Sequence, residues 1–124
     1  MQPSFVAVVD DDASVCKATQ ALLRSRGFTA VEYASAEAFL SSREGRRASC
    51  LVLDVHLPGL SGLQLQQQLR AEGVKIPAIL VTGAPARGEQ LRSSSLPEGV
   101  LALLDKPFDG DTLVRWVRIA LALG

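Results

Sequence analysis

Five short runs rich in apolar residues, alternating with segments of helical pattern, constrain this chain more than any other feature. The runs cover residues 5–9, 28–33, 50–53, 76–81 and 100–104. Short runs of this kind suit strands buried on both faces, as in a parallel sheet. Strand and helical pattern alternating along the whole chain predicts an α/β domain, with a doubly wound five-stranded parallel sheet and helices on both faces. Right-handed crossovers leave few topologies for it.

The punctuation supports this reading. Asp11 or Asp12 can cap the first helix, whose expected inner face is Val15, Ala18, Thr19, Leu22 and Leu23, and Gly27 supplies its stop. Ser35 is the expected N-cap of a short helix carrying Ala36, Phe39 and Leu40. Residues 43–47, with three arginines, read as a solvated polar loop. Ser61 and Gln64 form a capping box for a helix ending at Gly73. The segment between Thr82 and Lys106 is the least regular; only about 89–94 could be helical, so the fourth helix is expected to be short or irregular. Asp109 or Gly110 opens the last helix, with Leu113, Val117, Ala120 and Leu121 toward the sheet. Trp116, Ile119 and Leu123 widen its apolar stripe, and a homodimer through this helix and strand five is a further expectation.

Composition removes several classes of function. The 124 residues suit one domain spanning 1–124, and within that span no output domain is visible. Lys+Arg and Asp+Glu both number 13, so the formal net charge is zero and direct nucleic-acid binding by this chain is not expected. No apolar run approaches the ~20 residues that cross a bilayer, so no membrane partner is expected. Cys16 and Cys50 read as reduced core thiols, and residues 1–4 lack the basic start of a secretory signal; a cytoplasmic location is the expectation.

The informative polar residues stand where the strands end. Asp10 and Asp11 follow the first run, Asp54 the third, Thr82 the fourth and Lys106 the fifth. In an open parallel sheet these places share the carboxyl edge, where ligands bind at the reversal of winding. Carboxylates crowded ~4 Å apart repel by about 4 kcal/mol per pair at an effective dielectric near 20. They must take up protons or bind a cation, and an all-oxygen donor set favours a hard ion such as Mg2+. Lys106 offers a point charge for an oxyanion and Thr82 a hydroxyl donor. Together these groups suit phosphoryl transfer onto a carboxylate oxygen. A flavin-binding module would instead want a hydroxyl-rich phosphate loop where this chain has three aspartates.

With these motifs the sequence resembles the receiver domain of two-component response regulators. The carrying stretches are Val8-Val9-Asp10-Asp11-Asp12, Asp54-Val55-His56-Leu57-Pro58-Gly59 with Gly62 following, Val81-Thr82-Gly83-Ala84, and Asp105-Lys106-Pro107-Phe108. The stretch Ser35-Ala36-Glu37-Ala38-Phe39-Leu40 looks most like the branch regulating nitrogen-fixation and nitrate-response genes. The resemblance implies a flavodoxin-like strand order 2-1-3-4-5. It implies that Asp54 accepts a phosphoryl group from a sensor histidine kinase or phosphotransfer protein. It implies a Mg2+ site built from Asp10, Asp11, Asp54 and the His56 carbonyl. Thr82 and Lys106 would contact the phosphoryl oxygens, and the Lys106-Pro107 bond would be cis. The resemblance further implies a signalling domain with at most slow self-dephosphorylation, not an enzyme. Leu103 stands where the family usually has Phe or Tyr, which keeps open a degenerate receiver that binds partners without phosphorylation.

Overall fold

A computed structural model describes residues 4–83 and 96–123. The helix expected within 89–94 lies outside the described residues. The elements run β1 (Val6–Val9), α1 (Ala13–Ser25), β2 (Ala30–Tyr33), α2 (Ala36–Ser41), a 3₁₀ turn (Glu44–Arg47), β3 (Cys50–Asp54), α3 (Gly62–Ala71), β4 (Ala78–Thr82), β5 (Val100–Asp105) and α4 (Gly110–Leu123). The five strands form one sheet in the order β2-β1-β3-β4-β5, and every neighbouring pair is parallel.

Because successive side chains of a strand point to opposite faces, each strand feeds two cores. Ala7, Val9, Leu51, Leu53 and Leu80 pack with Phe39 of α2 and with Leu65 and Leu69 of α3. Val6, Val8, Val52, Ile79 and Val81 pack with Cys16 and Leu23 of α1 and with Leu113 and Val117 of α4. The chain leaves β1 toward β2 and then crosses back to β3 on the other side, which places α1 and α2 on opposite faces. That reversal opens a crevice above the carboxyl ends of β1 and β3.

Local signals set the helix limits. The Asp12 side chain accepts from the Ser14 and Val15 amides at the start of α1, and Gly27 ends it with φ +90°. Ser35 caps α2, and the Ser61–Gln64 capping box opens α3 with both reciprocal bonds made. Asp109 accepts from the Thr112 hydroxyl at 3.1 Å beside the first turn of α4.

Three expectations change in part. The buried residues of α1 are Cys16, Thr19 and Leu23, whereas Ala18 is exposed and Val15 and Leu22 are half-buried. Leu22 still packs against the core, as expected, and all three also line a groove of about 540 Å³ that runs to Lys106, Pro107 and Phe108. The apolar stripe of α1 is thus wider than its packing face. In the turn at residues 43–47, Arg43, Glu44 and Arg47 are exposed as expected, but Arg46 donates to the Glu72 carboxylate at 2.9 Å and to the Leu40 carbonyl at 2.6 Å, tying the turn to α2 and α3. On α4, Leu113, Val117 and Ala120 are buried and Leu121 is half-buried against the core, as expected, and Val114 is buried as well; Trp116 is half-buried against the core, while Ile119 and Leu123 are 41% and 65% exposed.

Candidate functional site

The ends of four strands build the site. Asp10 follows the last residue of β1, Asp54 and Thr82 are the last residues of β3 and β4, and Lys106 follows β5. Strand pairing fixes their spacing: Val9 is opposite Leu53, Asp54 opposite Val81, and Thr82 opposite Asp105. Asp10, Asp54 and Thr82 are only 4%, 5% and 1% exposed. Asp11 is exposed at the rim. The carboxylates of Asp10, Asp11 and Asp54 offer ligand atoms all within 4.8 Å of one another.

Hydrogen bonds orient the two buried acids. Asp10 Oδ1 accepts from the Asp12 amide at 2.9 Å, and Asp54 Oδ1 accepts from the His56 amide at 2.8 Å. Their other oxygens converge on one cation: Lys106 Nζ donates to Asp10 Oδ2 at 2.8 Å and to Asp54 Oδ2 at 2.9 Å. The Lys106 amide donates to the Thr82 carbonyl at 2.8 Å, so the lysine is anchored to β4 as well.

Burial pushes the Asp10 carboxyl above its ordinary value, and the negative Asp54 adds to this, against the lowering effect of Lys106 and the Asp12 amide. Burial also opposes the charge on Lys106, but hydrogen bonds to Asp10 and Asp54 outweigh it and hold the ammonium above its usual value. The two shifts agree physically, since one cation is shared between two carboxylates and cannot neutralise both. The site retains a surplus of negative charge. Its hard oxygen donors fit a divalent ion with partial hydration.

Every side chain expected at the site, Asp10, Asp11, Asp54, Thr82 and Lys106, stands at this one edge. His56 is exposed two residues beyond Asp54. The Lys106-Pro107 peptide is cis, as expected.

Residues 6–118 match the family described as the response regulator receiver domain. The chain belongs to that family. This receiver domain is 34% identical over 121 residues to the response regulator protein TodT of Pseudomonas putida, covering 97% of this chain and 52% of that protein. It is 36% identical over 117 residues to the transcriptional regulatory protein FixJ of Azorhizobium caulinodans, covering 94% of this chain and 54% of the relative. The receiver thus spans about half the length of the curated relatives it matches. The solved FixJ-N structure superposes with a TM-score of 0.80 at 28% identity, covering 98% of this chain and 96% of that one. The expected kinship with the nitrogen-fixation branch is met by FixJ and by nodulation protein W of Bradyrhizobium diazoefficiens, 39% identical over 117 residues, 94% of this chain and 51% of that protein.

The sequence showed two residues that shape the site but not their contacts. Gly62 opens α3 directly against the backbone carbonyl of Asp54, with no room for a β-carbon. Glu37 of α2 accepts from the Leu60 amide at 3.0 Å, in the loop that follows Asp54. Gly62 was visible as part of a motif, but its contact was not. Glu37 lies 23 residues from its partner, beyond the reach of any local pattern.

Proposed function

We propose that this receiver takes a phosphoryl group onto Asp54 from a phosphohistidine on a sensor histidine kinase or phosphotransfer protein in the cytoplasm. A carboxylate oxygen forms the new P–O bond, the P–N bond breaks, and the imidazole leaves. The observation that carries this reading is the shared lysine: one Asp54 oxygen is within 2.9 Å of Lys106 Nζ, the group best placed to pair with an incoming phosphoryl oxygen. Asp10 and Asp11, with Asp54 and the His56 carbonyl, are the proposed holders of Mg2+. When bound, that ion supplies positive charge to the transferring group.

Phosphorylation adds roughly −1.5 to −2 charge at the sheet edge. Lys106 then trades its bond with Asp54 for one with the phosphoryl group, and the Thr82 hydroxyl donates to a second oxygen. The two bonds favour one conformation over another, shifting a population toward the form that an output domain or partner recognises. Reversal is slow self-dephosphorylation. Self-association through β5 and α4 is a second proposed output, supported by the exposure of Ile119 and Leu123 at the end of α4.

Intact mass after incubation with acetyl phosphate and Mg2+ tests the central reading. One added phosphoryl mass on the wild type and none on Asp54→Asn is the expected result. An unmodified wild type would favour the phosphorylation-independent interaction domain instead.

A further inference from the structure

We propose that Glu37 is a positioning residue for the metal-holding loop, acting from α2 through the backbone of residues 55–60. The inference rests on the reading of the His56 carbonyl as a metal ligand. Glu37 sits in the first turn of α2, where the Ser35 side chain caps the helix by accepting from the Ala38 amide. A carboxylate is favourable near a helix N-terminus, so the helix tolerates it there at no cost. Its Oε2 leaves the helix and accepts from the Leu60 amide at 3.0 Å. That bond holds the Glu37 carboxyl below its ordinary value.

The fit at Gly59 shows that the contact is close. Gly59 has φ +75°, and a β-carbon there would stand 2.5 Å from Glu37 Oε2. The carboxylate therefore lies against Gly59, whose backbone adopts a conformation that other residues rarely take.

The remaining restraints lie at the two ends of this loop. At its start the Val55 amide donates to the Val81 carbonyl at 2.9 Å, and the His56 amide to Asp54 Oδ1 at 2.8 Å. At its end the Ser61–Gln64 box fixes the first turn of α3. Leu57 is buried, but His56, Pro58 and Gly59 are exposed. Glu37 is the side chain from another element that hydrogen-bonds the loop backbone just before Ser61. Groups bonded directly to a metal ligand commonly govern affinity; Glu37 acts on the loop four residues beyond His56, so its effect should be smaller.

The test is Mg2+ affinity by calorimetry on wild type, Glu37→Ala and Glu37→Gln, with amide exchange at Leu60 measured in the metal-free proteins. In Glu37→Ala, Leu60 exchange should rise about tenfold, and the Mg2+ Kd should weaken about threefold, less than the ~10-fold loss for a group bonded directly to a ligand. Glu37→Gln keeps an acceptor oxygen and should restore both toward wild type, which a merely electrostatic pull of Glu37 on the ion would not do. An alanine variant with wild-type Mg2+ affinity, or a glutamine variant as weak as alanine, would overturn the proposal. A wild-type chain that takes up no Mg2+, with Leu60 exchange still faster in Glu37→Ala, would instead sink the metal reading on which it rests.

Discussion

Lys106 Nζ stands 2.8 Å from Asp10 Oδ2, which makes the lysine a resident cation of the acidic cluster. It also bonds Asp54, so any divalent ion entering this crevice meets oxygens already engaged by an ammonium group. Lys106→Ala is therefore expected to destabilise the metal-free chain by about 2 kcal/mol. That is less than a fully buried pair would cost, because the lysine side chain is 21% exposed. Mg2+ should recover much of the loss and bind the variant several times more tightly than wild type, while acceptance from acetyl phosphate slows. Thermal melts with and without Mg2+ check the stability, and mass spectrometry the rate.

Gly62→Ala sets helix propensity against packing. At the first position of α3, an alanine should gain less than the roughly 1 kcal/mol it would gain in a helix interior. The added β-carbon, however, meets the backbone carbonyl of Asp54, which cannot rotate away as a side-chain tip could. Overpacking of this kind costs about 1–3 kcal/mol. The variant should be less stable in urea and should accept phosphoryl groups more slowly, because the strain falls on Asp54, the proposed acceptor.

Leu103 is buried on the face shared with α2 and α3 and pairs in register with Leu80. Leu103→Ala should cost about 2–3 kcal/mol, as a cavity in a partly relaxing site does. If its role is packing alone, the rate of phosphoryl acceptance from acetyl phosphate should stay near that of wild type. Denaturant titration and single-turnover phosphorylation measure the two effects separately.

The Arg46–Glu72 pair gives a pH signature at the other end of the molecule. The hydrogen bond from Arg46 holds the Glu72 carboxyl below its ordinary value of 4.5. A carboxylate with a lowered folded-state pKa stabilises the fold fully above its unfolded value and loses that contribution as pH falls through the folded one. The melting-temperature gap between wild type and Arg46→Met should therefore be widest near neutral pH. It should narrow on acidification below 4.5 without closing, since the Arg46 bond to the Leu40 carbonyl does not titrate.

The parts of this fold that were legible in sequence are those set by neighbours in the chain. Asp12, Ser35 and Ser61 cap their helices as expected because a cap and its amides lie within a few residues. Asp10, Asp54, Thr82 and Lys106 could be placed at one edge because parallel strands put all their carboxyl ends together. The inner face of α1 was right at Thr19, Leu22 and Leu23 but took in the exposed Ala18 and left out the buried Cys16, because the apolar stripe serves both the sheet and a surface groove. Arg46 was taken for a solvated residue because its partner, Glu72, lies 26 residues away. Such contacts are decided by the packing of whole elements, not by a local window.

The two thiols of the chain, Cys16 and Cys50, are both buried, and burial pushes them up to about 11 and about 12. At neutral pH neither presents a nucleophilic thiolate to reagents in solution. A single cysteine introduced on the surface would then be the one site a maleimide dye attaches to. The chain can be labelled for fluorescence work without first rebuilding its interior.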